Sequence, residues 1–395
     1  MPDFLSQYNR PVIYLALAEI LVWAGLYYSF PALLLEWESG FGWHRSELTL
    51  AITTSIVVSA FFAPISGRLI DRGLGAYLMT GCTFFGGAGL IFLSMVEQLW
   101  QFYLCWIFIG IMLSGCLYDP CFTLITRRRG ANARSAIVMI TLVAGFAGTI
   151  SFPTAHALSE TYGWRTTILC FAMVILFVAS PLMWVGSRRI EAEAADISIK
   201  DNKSSGYGFL RHRVFWFLAV GFGLAAMLHG VTLHHLLPVL DERSVDPGFA
   251  VLIASLIGPM QVAGRLLMTI IQHKVSNHGM VFTCFILLTG SVVVLNLAGA
   301  SPVGLILFVT LFGSAYGMVS IVRPVIAREM LGQSSFGAKF GLLSMVYLFG
   351  GASAPFVGAL LWSIGGYDLV LPTLLIAGVG GMLAYGLAHR YSKAI

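Results

Sequence analysis

Charged side chains are scarce in this sequence of 395 residues, since Asp, Glu, Lys and Arg together make up 10% of it. A soluble globular domain carries about 25% charged residues and about 45–50% apolar residues. Here hydrophobic residues make up 58%, and the mean hydropathy is +0.85. These values exclude a soluble protein and a soluble domain with one membrane anchor. The charges are also too few to form a basic face for nucleic acid, although the formal net charge is +5.

Motifs of enzymes and of cofactor sites are missing as well. The sequence contains no GxSxG, no HExxH and no phosphate-binding glycine loop. Its six cysteines are scattered and form no CxxC pair, so neither a disulfide framework nor a structural metal site is indicated. We therefore predict a protein that is not an enzyme and that binds no cofactor, no metal ion and no nucleic acid.

Long apolar runs dominate the chain instead. A helix that crosses the lipid bilayer needs about 20 predominantly apolar residues. The first run is longer than a signal-peptide core and lacks a small-residue cleavage site, so we expect it to be retained. We predict twelve spans, at residues 11–35, 48–66, 76–96, 101–126, 135–157, 166–186, 213–238, 249–271, 278–298, 303–327, 336–362 and 368–389.

The orientation follows from Lys and Arg in the connecting segments, because cytoplasmic loops carry an excess of these residues. Numbering the loops alternately places most basic residues on the side of both termini. Both termini are therefore predicted to be cytoplasmic, in a multi-pass protein of the plasma membrane. The terminal side receives Arg10, Arg68, Arg72, Arg127, Arg128, Arg129, Arg134, Arg188, Arg189, Lys200, Lys203, Arg211, Arg213, Lys274, Arg328, Lys339, Arg390 and Lys393, and the other side receives Arg45, Arg165 and Arg243.

The chain divides into two similar halves. Residues 187–212 are polar and charged, and they are predicted to form a cytoplasmic linker between bundles at 1–186 and 213–395. Parallel repeats of this kind occur in transporters whose substrate site lies near the bilayer midplane between the repeats. Three prolines recur in order at nearly constant offset: Pro31 with Pro238, Pro120 with Pro324, and Pro153 with Pro355.

Opposite charges precede one of these proline pairs. Asp119 stands before Pro120, and Arg323 stands before Pro324. A charge near the bilayer centre costs about 2.5–3.5 kcal/mol on insertion scales, so it normally faces a partner or a water-filled cavity. Two interpretations remain open: Asp119 and Arg323 line a central pathway, or they form a buried ion pair that only locks the halves together.

Further polar side chains lie inside the predicted spans. Glu19, Trp23, Tyr27 and Phe30 recur at the spacing of one helix face, which predicts an aromatic stripe with an acid at its cytoplasmic end. Other faces are predicted to combine Tyr316, Ser320 and Arg323 in span 10, Gln261 and Arg265 in span 8, and Cys116, Asp119 and Thr123 in span 4, while His229 stands in the middle of span 7.

The loop after span 2 reads 67-GRLIDRG-73 and resembles the Gly-x-x-x-Asp-Arg signature of the major facilitator superfamily. The resemblance implies an all-α membrane protein with twelve transmembrane helices in two pseudo-symmetric six-helix bundles. It also implies that Asp71, with Arg72, pairs with basic groups and a helix end, which steadies one state of the carrier. The equivalent segment of the second half, 269-TIIQHKVSNHG-279, lacks the acid.

Three shorter stretches resemble the monocarboxylate transporter group and its oxalate/formate exchanger relatives: YSFPALLLEWESGFGWHRSELTLA, RRRGANARSAIVMITLVAGFAGT and GPMQVAGR. In that group an arginine of helix 8 binds the substrate carboxylate, and Arg265 matches it. Gln261 stands where the group has an acid, and Ala32 stands where its animal members have a lysine. The proton relay of the animal group therefore cannot be transferred, and a coupling proton would need Glu19, Asp119 or His229.

These features predict a monomeric secondary transporter in the lipid bilayer that moves a small organic anion, a carboxylate above all, by alternating access. Protons are a possible coupling ion. Two alternatives remain: a larger aromatic solute such as a vitamin or drug, and arsenite held by Cys116 and Cys121. The predicted substrate-binding residues are Arg265, Arg323, Tyr27, Trp23, Tyr316, Gln261 and His229, and the predicted proton-coupling or gating residues are Glu19, Asp119, Asp71 and Arg72.

Overall fold

The structure, a computed structural model, describes residues 10–193, 207–271 and 274–392 and is helical throughout almost all of them. Half of the predicted linker, residues 194–206, lies outside this description. The helices are α1 Arg10–Val22, α2 Ser29–Phe41, α3 Arg45–Asp71, α4 Gly75–Ser94, α5 Leu99–Cys116, α6 Tyr118–Arg129, α7 Ala133–Ala144, α8 Ala147–Val174, α9 Ser180–Ala192, α10 Arg213–Glu242, α11 Pro247–Ile271, α12 Asn277–Ala298, α13 Pro302–Leu331 and α14 Phe336–Ser392.

Ten helical stretches among the described residues are long and apolar enough to cross a membrane. Two of them, Ala133–Ala192 with 60 residues and Phe336–Ser392 with 57, are much longer than one crossing requires. Each is interrupted by glycine in a non-helical conformation, at Gly163 in the first and at Gly365 and Gly366 in the second. Dividing both stretches there would give the twelve predicted spans, and that number stays a prediction.

A π-helical segment, Trp23–Tyr27, joins α1 to α2. Its wider turn is closed by the Tyr28 N–H, which donates to the Trp23 carbonyl at 2.8 Å. The Ala24 carbonyl inside this segment accepts a hydrogen bond from the Ser151 hydroxyl at 2.9 Å. The Ser151 hydroxyl thus provides a hydrogen bond to a backbone carbonyl of the irregular turn.

The π-helical turn changes the face that the following residues occupy, and one sequence prediction is wrong for this reason. The extra residue rotates the rest of the helix by about 100°. Phe30 therefore leaves the predicted aromatic stripe and packs on Trp106, with ring centroids 4.9 Å apart. Tyr28 takes its place, with its ring 5.4 Å from that of Tyr27.

The predicted span 101–126 is divided into two helices. Leu117 is extended, with φ −92° and ψ −168°, so α5 ends before it and α6 begins after it. Pro120 lies in the first turn of α6, where its missing N–H removes no hydrogen bond that the helix would otherwise make. The Asp-Pro pair therefore marks the start of a second helix, and Asp119 lies where a helix N-terminus favours negative charge.

The chain packs as two units, Met1–Lys203 with Gln333–Met345 and Ser204–Gly332 with Val346–Ile395. The first turns of α14 thus pack with the first unit, and the predicted division into bundles at 187–212 stays a prediction. Glycines explain this packing, because a Cβ on Gly67 of α3 or on Gly337 of α14 would overlap the carbonyl oxygen of the other. Small residues of this kind allow transmembrane helices to approach closely.

Candidate functional site

In the second unit, α11 and α13 cross at glycines, and this crossing positions Arg265. A Cβ on Gly317 would overlap the backbone of Gln261, and one on Gly264 would overlap that of Ser314. The two backbones are therefore close enough for the Arg265 Nε to donate to the Gly317 carbonyl at 3.4 Å. Arg265 is buried, with 5% of its surface exposed. Gln261 lies one turn before Arg265 and contributes its backbone to the crossing.

Arg323, two turns further along α13, contacts an aromatic ring. Its guanidinium carbon lies 4.0 Å from the centroid of the Tyr347 ring. Arg323 is also buried, with 5% of its surface exposed. A guanidinium over an aromatic face is stabilised by about 0.5–2 kcal/mol, depending on desolvation. The Tyr347 ring thus occupies one side of the Arg323 guanidinium.

His229 of α10 lies in the same cluster and is nearly parallel to two rings of α13. Its imidazole stacks on Tyr316 at 3.3 Å and on Phe312 at 4.9 Å between ring centroids. The Tyr316 hydroxyl faces that of Tyr347, and the charges of Arg265 and Arg323 both act on it. The structure therefore brings together Arg265, Arg323, Tyr316 and His229 from three predicted spans, and it adds Tyr347. No motif in the sequence singled out Tyr347.

The net charge of this cluster, which we call the arginine–tyrosine cluster (Arg265, Arg323, Tyr316, Tyr347 and His229), is positive. The carboxylates in the described part of the second unit lie near helix ends or just after the non-helical glycines of α14: Asp241, Glu242, Asp246, Glu329 and Asp368. Two guanidiniums and two tyrosine hydroxyls can bind an anion with several charge-assisted hydrogen bonds. The arrangement suits a carboxylate.

In the first unit, Glu19 is fully buried in α1. Neither of its carboxyl oxygens has a hydrogen-bond partner among the described residues. The Cys121 thiol and the Trp23 indole lie beside it, and Asp119 is close enough to act on it electrostatically. A charged carboxylate would be costly in such surroundings.

Aromatic rings surround Trp23, which is partly exposed and lies one helical turn after Glu19. The Trp23 ring lies 5.0 Å from Tyr27, 6.1 Å from Tyr28 and 4.8 Å from Tyr118, between centroids. We call these four residues the aromatic cluster. The sequence pattern does not indicate Tyr28 and Tyr118, because the π-helical turn and the helix break at Leu117 bring them to this cluster.

Asp119 is half-buried in the first turn of α6, and its backbone carbonyl accepts a hydrogen bond from the Thr123 hydroxyl at 2.6 Å. It belongs to the first unit, whereas Arg323 belongs to the second. The pairing of Asp119 with Arg323 therefore stays a prediction.

Asp71, the acid of the GRLIDRG motif, caps the start of α14. Its two carboxylate oxygens accept hydrogen bonds from the Gly337 and Ala338 amides, each at 2.8 Å. The Arg127 side chain lies 3.9 Å away and donates to the Ile70 carbonyl at 2.6 Å. These are the kinds of partner that the motif resemblance implies. The Arg72 side chain, by contrast, is exposed at the end of α3.

Within the described residues, no group of three or more His, Cys, Asp or Glu side chains could hold a metal ion. Cys116 and Cys121 are both buried. Both thiols nevertheless lie near Glu19, because the helix break between them changes their relative direction.

Comparisons with known proteins agree on one family. The family described as Major Facilitator Superfamily matches residues 15–355. The MFS transporter asaE of Aspergillus flavus is 23% identical over 333 residues, which cover 82% of this chain and 73% of that protein. The agnestins efflux protein AgnL12 of Paecilomyces divaricatus is 23% identical over 327 residues, which cover 80% and 72%.

Solved structures show the same fold. A bacterial homologue of the iron transporter ferroportin, in an outward-facing state, has a TM-score of 0.75 at 14% identity and covers 96% of this chain and 100% of its own. The major facilitator transporter FucP, in the outward conformation, has a TM-score of 0.71 at 14% identity and covers 98% of each chain. At this identity the likeness shows the fold alone.

Proposed function

The chain belongs to the major facilitator superfamily, and on this basis we propose that it is a secondary transporter that moves a small organic anion, above all a carboxylate, across the membrane by alternating access. Members of this family are multi-pass membrane proteins that transport small molecules. The proposal places the protein as a monomer in the plasma membrane, with both termini on the cytoplasmic side.

The observation that carries the proposal is the convergence of two buried arginines in the arginine–tyrosine cluster. Arg265 and Arg323 are each 5% exposed, and both act on the Tyr316 hydroxyl. A guanidinium stays charged when it is desolvated, and its planar fork matches the two oxygens of a carboxylate. An entering anion would exchange water for charge-assisted hydrogen bonds to both arginines.

The rings of the cluster restrict how the substrate is held. The Tyr347 ring lies 4.0 Å from the Arg323 guanidinium carbon and restricts the movement of this group. The His229 imidazole stacks on the rings of Phe312 and Tyr316. A carboxylate that binds both arginines would therefore have one preferred orientation, with its organic part directed away from the guanidinium groups.

The resemblance of three stretches to the monocarboxylate transporter group supports a carboxylate substrate, because Arg265 occupies the position of the substrate-binding arginine of that group. Gln261 and Ala32 depart from the group, so another acid has to carry a coupling proton. We assign this role to Glu19, since it is fully buried and has no hydrogen-bond partner among the described residues. Asp71 holds the start of α14 and acts as a gating residue.

A second candidate function is export of a larger aromatic solute, with the aromatic cluster as its binding surface. Trp23, Tyr27, Tyr28 and Tyr118 form a continuous aromatic group in the first unit. The two similar fungal proteins favour this alternative, because one is described as an efflux protein for agnestins. In this case the arginines would hold an acidic group of a larger substrate.

Uptake of radiolabelled solutes into proteoliposomes tests the proposal. A panel of mono- and dicarboxylates should include a substrate, and its uptake should be competed by other carboxylates but not by their amides. Arg265→Lys and Arg323→Lys retain the charge and lose the fork, so each should raise KM about tenfold or more. Arg188→Lys is the matched control, since Arg188 is half-exposed at the end of α9.

Two results would contradict the proposal. Transport of neutral aromatic solutes with the same efficiency as carboxylates would favour the second candidate. An unchanged KM for carboxylates in both arginine variants would remove the arginine–tyrosine cluster from the substrate site.

A further inference from the structure

We propose that an exposed patch of the second unit, where α10 begins and α14 ends, binds the headgroup of an anionic phospholipid. The patch consists of Arg211, Arg213, Trp216 and Tyr391, and all four side chains are exposed. We call it the basic–aromatic patch. The proposal goes beyond anion transport, because a lipid can occupy the patch without any transported solute.

Ring contacts hold the start of α10 against the end of α14. Phe217 of α10 stacks on Tyr391 of α14, with ring centroids 5.7 Å apart and planes within 4° of each other. Arg213 precedes Phe217 by one helical turn, and its guanidinium carbon lies 5.9 Å from the centroid of the same Tyr391 ring. Tyr391 thus contacts both residues, and this limits the positions that the Arg213 guanidinium can take.

A short 3-10 helix, Tyr207–Arg211, leads into α10 and ends with the second arginine of the patch. The Trp216 indole N–H donates to the Leu210 carbonyl at 2.7 Å. The ring of Phe209 lies 5.1 Å from that of Phe215, between centroids. These contacts hold the short helix against α10, so the basic side chains on either side of the junction extend from an ordered surface.

The charge of the patch is positive and is not neutralised by neighbouring acids. Residues 207–240 and 369–395 contain no Asp or Glu. Among the described residues, neither Arg211 nor Arg213 forms an ion pair. Glu329, the acid at the end of α13, is engaged by Asn277 and His278. The first backbone amides of α10 add partial positive charge at the same end of the helix.

The aromatic side chains indicate the depth at which the patch meets the bilayer. Trp and Tyr are enriched at the level of the lipid headgroups. Trp216 is half-exposed and follows Arg213 by about 4.5 Å along the helix axis, toward the interior of the span. Contact of the rings with the glycerol region of a lipid would therefore place the arginines beside its phosphate.

These two levels favour an anionic lipid over a dissolved phosphate. A guanidinium can donate two parallel N–H bonds to phosphate oxygens. Basic residues next to the membrane are attracted by lipids with net negative charge, whereas a zwitterionic lipid carries a cation of its own. A dissolved phosphate compound would contact the arginines but would leave the rings of Trp216 and Tyr391 without an apolar partner.

Purified full-length protein in lipid nanodiscs tests the patch without a transported substrate. The discs contain phosphatidylcholine alone, phosphatidylcholine with phosphatidylglycerol, or phosphatidylcholine with glycerol phosphate in solution. Hydrogen–deuterium exchange is measured in the peptide that contains residues 207–217. We expect phosphatidylglycerol to slow this exchange and dissolved glycerol phosphate to leave it unchanged. Both leaflets of a disc contain the anionic lipid, so the result does not depend on the predicted orientation.

The variants distinguish the patch from a general effect of membrane charge. Arg211→Gln and Arg213→Gln should each raise the phosphatidylglycerol fraction that gives half of the effect about fivefold, the contribution expected for one basic residue at the membrane surface. Arg188→Gln is the matched control. Arg188 also lies over two aromatic rings, those of Tyr77 and Trp184, but the Glu191 carboxylate is 4.0 Å from it, so this variant should keep the full effect.

Equal exchange in the discs with and without phosphatidylglycerol would overturn the proposal. Equal protection by dissolved glycerol phosphate would assign the patch to a soluble phosphate compound and would also overturn it. An effect that survives when both Arg211 and Arg213 are replaced, or that weakens equally in Arg188→Gln, would reduce it to the charge of the membrane as a whole. Failure of all carboxylates in the uptake assay, with the lipid effect intact, would reject the transported anion and leave this patch standing.

Discussion

The guanidinium of Arg323 lies over the ring of Tyr347, with 4.0 Å between the guanidinium carbon and the ring centroid. The ring occupies one side of the guanidinium, so a substrate anion has to reach its N–H groups from another side. Tyr347 is thus a positioning residue for Arg323 and, through its hydroxyl, a neighbour of Tyr316.

Substitution of Tyr347 distinguishes the role of its ring, which contacts Arg323, from the role of its hydroxyl, which lies beside Tyr316. Tyr347→Phe keeps the ring under Arg323 and should change KM for the anion only slightly if the hydroxyl does not bind the substrate. Tyr347→Leu removes the cation–π contact and should raise KM about two- to thirtyfold, which corresponds to about 0.5–2 kcal/mol. Steady-state uptake in proteoliposomes measures both. Equal KM values for the Phe and Leu variants would show that the ring does not position Arg323.

Much of the fold was predictable because it depends on composition that the membrane imposes. The length of the apolar runs, the glycine content and the alternation of basic residues between loops indicate membrane helices. None of these features depends on how the helices pack against each other. The convergence of Arg265, Arg323, Tyr316 and His229 was predictable for a similar reason, since a charge in lipid has to face other polar groups. Their exact neighbours depend on the Gly264 and Gly317 contacts, which the sequence does not pair.

The errors have local causes. The π-helical turn at Trp23–Tyr27 has no distinctive sequence signal, yet it moves Phe30 from the predicted stripe to the ring of Trp106. The Asp-Pro pair before Cys121 did signal an irregularity. The predicted span 101–126 nevertheless places the pair inside one helix, whereas the extended Leu117 ends one helix and allows another to start.

The predicted orientation can be tested by labelling single cysteines in intact cells with a reagent that does not cross the membrane. Cysteines at Glu97 and Glu160 should react from outside, because their loops carry few basic residues. Cysteines at His212 and Tyr391 should react only after permeabilisation. All four side chains are exposed. The parent protein with its six native cysteines is the control, and the reverse labelling pattern would invert the topology.

Coupling to protons predicts that acidification on the substrate side speeds uptake. The negative charge of Glu19 is fully buried without a hydrogen-bond partner among the described residues, so binding of a proton lowers the cost of moving the empty carrier. Uptake should fall as the external pH rises from about 5 to about 8, because Glu19 then loses its proton.

Glu19→Gln imitates the protonated acid and should make uptake independent of external pH and insensitive to a protonophore. Glu160→Gln, a change at an exposed acid, is the control and should keep the pH dependence. A wild-type protein that is indifferent to pH and to the protonophore would remove the proton from the mechanism. A pH dependence that persists in Glu19→Gln would assign the proton to another group.

The cap that Asp71 forms on α14 predicts a local change in stability. Asp71→Ala removes both acceptors from the Gly337 and Ala338 amides, and loss of a helix cap costs about 0.5–2 kcal/mol. Amides in residues 336–345 should therefore exchange with deuterium about two- to thirtyfold faster than in the wild type. Asp71→Asn retains one acceptor and should give an intermediate rate.

Glu191 provides a matched control for this experiment, since its carboxylate caps α4 by accepting from the Gly75 amide at 3.0 Å in the same unit. Glu191→Ala should speed exchange at the start of α4 and leave residues 336–345 unchanged. If Asp71→Ala speeds exchange equally in both helices, the substitution has loosened the whole unit and the cap is not specific. If it changes neither, the two amides are held by the glycine contact of α3 with α14, and Asp71 does not gate that contact.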